Sequence, residues 1–228
     1  MQSTCLNLAD RLNDVSCHLP ALVREFDTQG YCVVRGVFGP EEVKGLVNIW
    51  DDSLTSVRRR NVTVTYADIT STRLLDTVNA RSLDELTSEI GDLYSDEELT
   101  ALLSKLAGED VVPLEDELEK YVFNALSAEG DHHGEHFDSF PFACTISLEQ
   151  PLSSSGGHFE IAEPNEGGRF RRVELTPGCL VFFRSSQLAH RVTSIGAFCR
   201  RLVISMAYAT PTTSSVVSNT RDLMYGED

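Results

Sequence analysis

No stretch of this sequence approaches the roughly 20 consecutive apolar residues that cross a bilayer, so no membrane-spanning helix is expected. Basic residues are scarce. Lys and Arg number 19 against 35 Asp and Glu in 228 residues, a formal net charge of −16. Nucleic acid and anionic membrane surfaces bind through clustered Lys and Arg, and both are excluded as expected partners. A small cationic or zwitterionic molecule suits the acidic field. The one compact basic run, Arg58 to Arg60, reads as a solvated loop or as an anion site. Six cysteines are present (Cys5, Cys17, Cys32, Cys144, Cys179, Cys199), but no CxxC pair. That scatter gives no zinc-finger pattern and no disulfide framework, and suits reduced thiols in the cytoplasm. The first residues lack a continuous apolar segment, so no secretory signal is expected. The length fits one domain with a substantial core.

The chain changes period near its middle. Up to about Gly108 helical spacing dominates. Pro40 follows Gly39 and opens a helix with Val43, Leu46, Val47 and Trp50 on one face. Ser82 with Glu85, and Ser95 with Glu98, have the spacing of capping boxes before apolar runs. Tyr31 to Arg35 is a short strand-like run. Residues 52–94 are candidates for a lid. From 111 to 210 the pattern is of short strands parted by turns, at 119–127, 135–138, 140–149, 157–162, 170–175, 179–184, 190–195 and 201–209. Phe140, Phe142, Cys144, Ile146 and Leu148 alternate with Pro141, Ala143, Thr145 and Ser147, which predicts a sheet with two distinct faces. Many short strands with regular turns indicate a sandwich or a jelly-roll barrel. The expected class is α+β, one domain with a jelly-roll core at 111–210, a helical N-terminal layer at 1–110 and a Ser/Thr-rich tail at 211–228.

Four of the six histidines fall between His132 and His158. His136 and Asp138 are two apart, so a strand would project both from one face. His190, ending the run that starts at Pro177-Gly178, is the natural third ligand. Two His and one carboxylate leave open positions on a metal, the arrangement of non-haem Fe(II) oxygenases. Further on, Arg201, Val203 and Ser205 share a face of the strand 201–209. A buried Arg beside a hydroxyl is suited to grip a carboxylate, because the guanidinium fork pairs with it bidentately. Parity favours Arg201 over Arg200, since Arg201 shares its face with Ser205.

The ordered set of His136-x-Asp138, His190 and Arg201 resembles the Fe(II)/2-oxoglutarate-dependent oxygenases, whose core is a double-stranded β-helix. Gly156-Gly157 before His158-Phe-Glu-Ile and the Pro177-Gly178 turn belong to the same resemblance. Phe26 to Val43 looks like the entry of phytanoyl-CoA-hydroxylase-type members. The compact size and Asp131-His-His-Gly-Glu-His-Phe-Asp138 look most like the small group acting on free amino acids, which includes the lysine halogenases. The resemblance implies Fe(II), 2-oxoglutarate as cosubstrate held by Arg201 and Ser205, O2, and release of succinate and CO2. Hydroxylation of a small amino-acid-like substrate is the expected outcome. In halogenating members a small residue replaces the carboxylate ligand, whereas here Asp138 stands at that position.

Several readings remain open beside these. Desaturation or cyclisation in secondary metabolism would use the same ligand set. A cupin-like metal-binding protein or isomerase would need no Arg201-x-x-x-Ser205. No residue is expected to act as acid or base. His158 reads as a neighbour of the site rather than a ligand. His132 and His133 lie too close to His136 for all to reach one metal, and one of them, His133, is a candidate substrate contact. Glu119 reads as a solvated edge charge or as the acceptor for a substrate ammonium, with His133 or one of Arg58 to Arg60 as donor to the substrate carboxylate. Neither the identity of the substrate nor the oligomeric state is legible.

Overall fold

The computed structural model describes residues 18–66, 69–163 and 168–226. Cys5 and Cys17 lie outside them. The N-terminal layer begins with α1 (Leu19–Gln29), ended by Gly30, whose N–H still reaches the Phe26 carbonyl at 2.8 Å while its φ of 78° turns the chain out of the helix. After β1 (Tyr31–Val34), α2 (Pro40–Asp52) starts with Pro in the first turn and Glu41 and Glu42 against the positive end of its dipole. It buries Leu46, Ile49 and Trp50, while Val43 and Val47 pack at the core's edge.

Two starts differ from the sequence expectation. α3 (Ala80–Leu86) is capped by Asn79, whose side chain accepts the Ser82 N–H, and α5 (Glu97–Ala107) by Asp96, which accepts from Leu99. Between them lies α4 (Glu89–Tyr94). Asn79 and Asp96 are themselves preferred N-caps, and each accepts the N–H three residues on, which starts one helix three residues before and the other one residue after the Ser caps that the sequence offered. A larger difference is the hairpin of β2 (Arg58–Tyr66) and β3 (Ile69–Val78), in a region whose helical spacing had suggested none. Its signal is the β-branched run Val62 to Thr65, followed by the aromatic Tyr66.

The second half supplies β4 (Val112–Pro113), β5 (Tyr121–Leu126), β6 (His132–His136), β7 (Phe142–Glu149), β8 (Phe159–Ala162), β9 (Phe170–Arg172), β10 (Leu180–Phe183), β11 (His190–Val192) and β12 (Arg201–Ala209). The order is β1-β10-β7-β12-β5-β3-β6-β11-β8-β9, every pairing antiparallel. Strands β5 to β12 thus fall into two groups of four, β10-β7-β12-β5 and β6-β11-β8-β9, alternating along the chain except at β8 and β9. This is the double-stranded β-helix. β3 spans the gap by pairing with both β5 and β6, so the hairpin is a wall of the barrel.

Each strand of the first group has one face toward the helices and one toward the barrel interior. On β12, Leu202, Ile204, Met206 and Tyr208 enter the main core, where Phe26, Phe142 and Phe182 stack with centroids 4.9 to 6.4 Å apart. Fully burying one such ring contributes about 1.5–3 kcal/mol. The opposite face carries Arg201, Val203 and Ser205 to the cavity. Two glycines allow this closure. A Cβ on Gly134 would lie 2.5 Å from the Thr72 carbonyl oxygen, so β3 and β6 approach only there without a side chain. Gly156 has φ 73°, and a Cβ on it would stand 1.9 Å from Ser194 O.

The segment after β12 was expected to be a loose tail. Instead residues 216–225, including the short α6 (Arg221–Tyr225), fold back and form part of the cavity wall. Ser and Thr hydroxyls bond the local backbone there, as in Thr210 to Thr213 and Ser218 to Thr220.

Candidate metal and cosubstrate site

The barrel interior holds a cavity of about 990 Å³. His136 ends β6 and His190 opens β11, and the two face each other in register across the ladder with ring centroids 4.1 Å apart. Asp138 lies just past the end of β6 rather than on it, and its backbone N–H is held by the Ser185 carbonyl at 3.0 Å. Even so its carboxylate reaches both rings: Oδ1 is 3.6 Å from His136 Nε2 and Oδ2 is 3.6 Å from His190 Nε2. One ligand atom from each of the three residues lies within 4.8 Å of the other two. His136 Nδ1 sits 2.7 Å from the Gly134 carbonyl and His190 Nδ1 3.0 Å from that of Leu188. A carbonyl only accepts, so each Nδ1 carries the proton and each Nε2 offers a lone pair toward Asp138. Burial, then the neighbouring His190, push the His136 pKa well below its ordinary value, which keeps that lone pair free. The donor set, two imidazoles and one carboxylate with room beside them, fits iron(II).

Deeper in the same cavity, Arg201 is 2% exposed and its Nε has no hydrogen-bond partner among the described residues. Among the described residues no carboxylate answers it, and burial alone lowers its pKa to about 10. A buried guanidinium without a partner is costly, so the site is built to receive an anion. Ser205 lies on the same strand face, opposite Thr145 in register, and its hydroxyl accepts from Asn124 Nδ2 at 3.3 Å. Arg200, one residue away, points elsewhere and is held by Glu149 through two hydrogen bonds. The geometry therefore fits the distal carboxylate of 2-oxoglutarate at Arg201.

The structure also places the candidate substrate contacts. Glu119 is buried, not a solvated edge charge. Its Oε1 accepts from Ser218 at 2.7 Å, its Oε2 has no partner, and burial raises its pKa to about 7 despite that hydrogen bond. His133 stacks on His136 at 4.1 Å and its buried Nε2 is unpartnered. Burial, then the charge of Arg73, keep its pKa well below the ordinary value. His132 instead bonds Thr72 at 2.7 Å, outside the cavity lining, and His158 meets Arg172 at 3.2 Å.

None of Arg58 to Arg60 lines this cavity. Arg59 forms a two-pronged pair with the fully buried Asp131, and Arg60 bonds Thr77 and the Gly226 carbonyl. Arg59 and Arg60 secure the hairpin, and the arginine of this region that lines the cavity is Arg73. That residue stands on β3 opposite His133 in register, is 6% exposed, and has an unpartnered Nε. Sequence reasoning missed it because it missed the strand that aims it inward.

Fold and site together define the class: a double-stranded β-helix with the donor set of the Fe(II)/2-oxoglutarate oxygenases. Residues 16–226 match the family model described as HalD, Halogenase D, and the chain belongs to this family. Among solved structures, a prolyl hydroxylase in complex with a hypoxia inducible factor oxygen degradation domain peptide from Trichoplax adhaerens superposes with TM-score 0.70 at 14% identity, covering 91% of this chain and 96% of that one. The epimerase SnoN in complex with Fe3+, alpha ketoglutarate and nogalamycin RO gives 0.64 at 18%, covering 86% and 85%. The carbocyclase SnoK from nogalamycin biosynthesis gives 0.64 at 13%, covering 83% of each chain. No curated protein matches the chain by sequence. No described helix is long and apolar enough to cross a membrane.

Proposed function

We propose that this chain hydroxylates a small free amino acid, with His136, Asp138 and His190 holding iron and Arg201 and Ser205 holding 2-oxoglutarate. The observation that carries the substrate class is a pair of opposite charges. Glu119 and Arg73 are both buried, both line the cavity of the metal donors, and each has an orphaned polar atom. A zwitterion answers both at once: Glu119 accepts from its ammonium, while Arg73 and His133 donate to its carboxylate. Such unpaired groups each cost free energy in the empty site, and the matching ligand recovers it.

When bound, iron and 2-oxoglutarate would together reduce O2, with loss of succinate and CO2, and so supply the oxidant that removes a substrate hydrogen. The protein's own part is orientation. Neutral His136 keeps its Nε2 available, Asp138 adds the negative charge, and the substrate is gripped at one end so that one carbon faces the iron. Asp138 also favours oxygen transfer over halogenation within this family, because a carboxylate occupies the position that a halide would take.

Succinate release from 2-oxoglutarate, measured with free amino acids and with their N-acetylated forms, tests the reading. Stimulation by a free amino acid and its loss on acetylation is the expected result. Equal stimulation by the blocked form would remove Glu119 from substrate binding.

A further inference from the structure

Glu119 is held from outside the cavity by a residue that reading leaves unused. Asp116, 8% exposed, accepts the backbone N–H groups of Leu118 and Glu119 on Oδ1 at 2.7 and 2.8 Å. Its other oxygen accepts from Arg221 Nε at 2.6 Å. Arg221 opens α6, and Leu223 and Tyr225 of that helix line the cavity. Ser218, three residues earlier, donates to Glu119 itself. One carboxylate thus fixes the Glu119 backbone and the wall that faces it, across a sequence separation of 105 residues.

The wall has little else to hold it at that point. Val217 is 60% exposed and Leu223 47%, and only Met224 in α6 is a buried apolar residue. Its other ties are near its ends, from Glu115 N–H to the Ser214 carbonyl and from Asn79 and Arg60 to the carbonyls of Tyr225 and Gly226. A segment with few buried apolar contacts opens at low free-energy cost unless polar contacts pin it.

We propose that Asp116 and Arg221 are positioning residues: their clasp sets the C-terminal wall and Glu119 together, and thereby the affinity for substrate, without touching it. The substrate part rests on the amino-acid reading above, and the wall part stands alone. A purely stabilising ion pair would move thermal stability without separating one ligand from the other.

The test uses the full chain as wild type, Arg221→Ala and Arg221→Lys. Hydrogen exchange on metal-free protein is expected to show faster exchange across residues 213–226 in Arg221→Ala, with β5 to β12 unchanged, and recovery of protection in Arg221→Lys. Unchanged exchange at 213–226, or loss spread through the barrel, overturns the clasp. In the succinate assay, with whichever free amino acid stimulates best, Arg221→Ala is expected to raise that KM at least tenfold while the KM for 2-oxoglutarate stays within twofold. Parallel shifts of both constants, or of neither, overturn the positioning role. If no free amino acid stimulates, the substrate reading fails and hydrogen exchange decides the clasp independently.

Discussion

Replacing Arg201 with Met separates a binding group from a folding group. Arg201 is 2% exposed and its Nε is unsatisfied, so the empty protein carries a desolvated charge that nothing repays. Met fills similar volume without that charge. Stability of the ligand-free protein should therefore stay level or rise, as it does where buried ionic groups are exchanged for apolar ones. Affinity for 2-oxoglutarate should fall, because its distal carboxylate loses a buried, charge-assisted partner. Removing one member of such a pair costs about 2–5 kcal/mol, which at about 1.4 kcal/mol per decade is roughly 30- to 4,000-fold in Kd. Calorimetry of 2-oxoglutarate on the Mn(II)-loaded protein reads this directly. Arg200→Met is the control: Glu149 holds that side chain at the surface, and its loss should leave Kd within about threefold. A larger effect at Arg200 than at Arg201, or an Arg201→Met protein that binds 2-oxoglutarate normally, would refute the assignment.

Three further outcomes follow from the site. Ala at His136, Asp138 or His190 should abolish turnover and stoichiometric metal binding while circular dichroism stays native, and near-normal activity in any one would remove that residue from the ligand set. With chloride present, mass spectrometry should show a product heavier by one oxygen and no chlorinated species; a C–Cl product would mean that Asp138 is not a ligand. Glu119 has its folded pKa raised from 4.5 to about 7, so its contribution to stability is complete below about 4.5 and is lost as pH rises through about 7, a swing of about 3 kcal/mol. Chemical denaturation from pH 4.5 to 8 should show that loss in wild type and not in Glu119→Gln, and equal pH dependence in both would contradict the burial argument.

The barrel was largely legible because strand alternation is a local signal, and the fold brings the three candidate donors His136, Asp138 and His190 together. Alternation along Phe140 to Leu148 marks a two-faced strand, and β12 occupies the span that its pattern indicated. The His-x-Asp pair could be read although Asp138 sits beyond its strand, since convergence of the two side chains does not require both to be in the ladder. What could not be read depends on contacts distant in sequence. Arg73 acquires its role from pairing with His133 across β3 and β6, and nothing in its own surroundings marks it as inward. Glu119 looks like any charge at the start of a strand until Ser218 and the 216–225 wall cover it. That wall carries no regular period, and its ties, Asp116 to Arg221 and Glu119 to Ser218 among them, join residues far apart in the chain.

On the proposed reading, this site couples 2-oxoglutarate cleavage to oxygen insertion into a free amino acid. Turnover under ¹⁸O₂ with Fe(II), 2-oxoglutarate and the stimulating amino acid tests it most directly, read by mass spectrometry of both products. The account predicts one labelled oxygen in succinate and one in a hydroxylated amino acid, with neither formed by the His136→Ala protein. Formation of an altered amino acid without succinate, or no succinate with any amino acid, would contradict it.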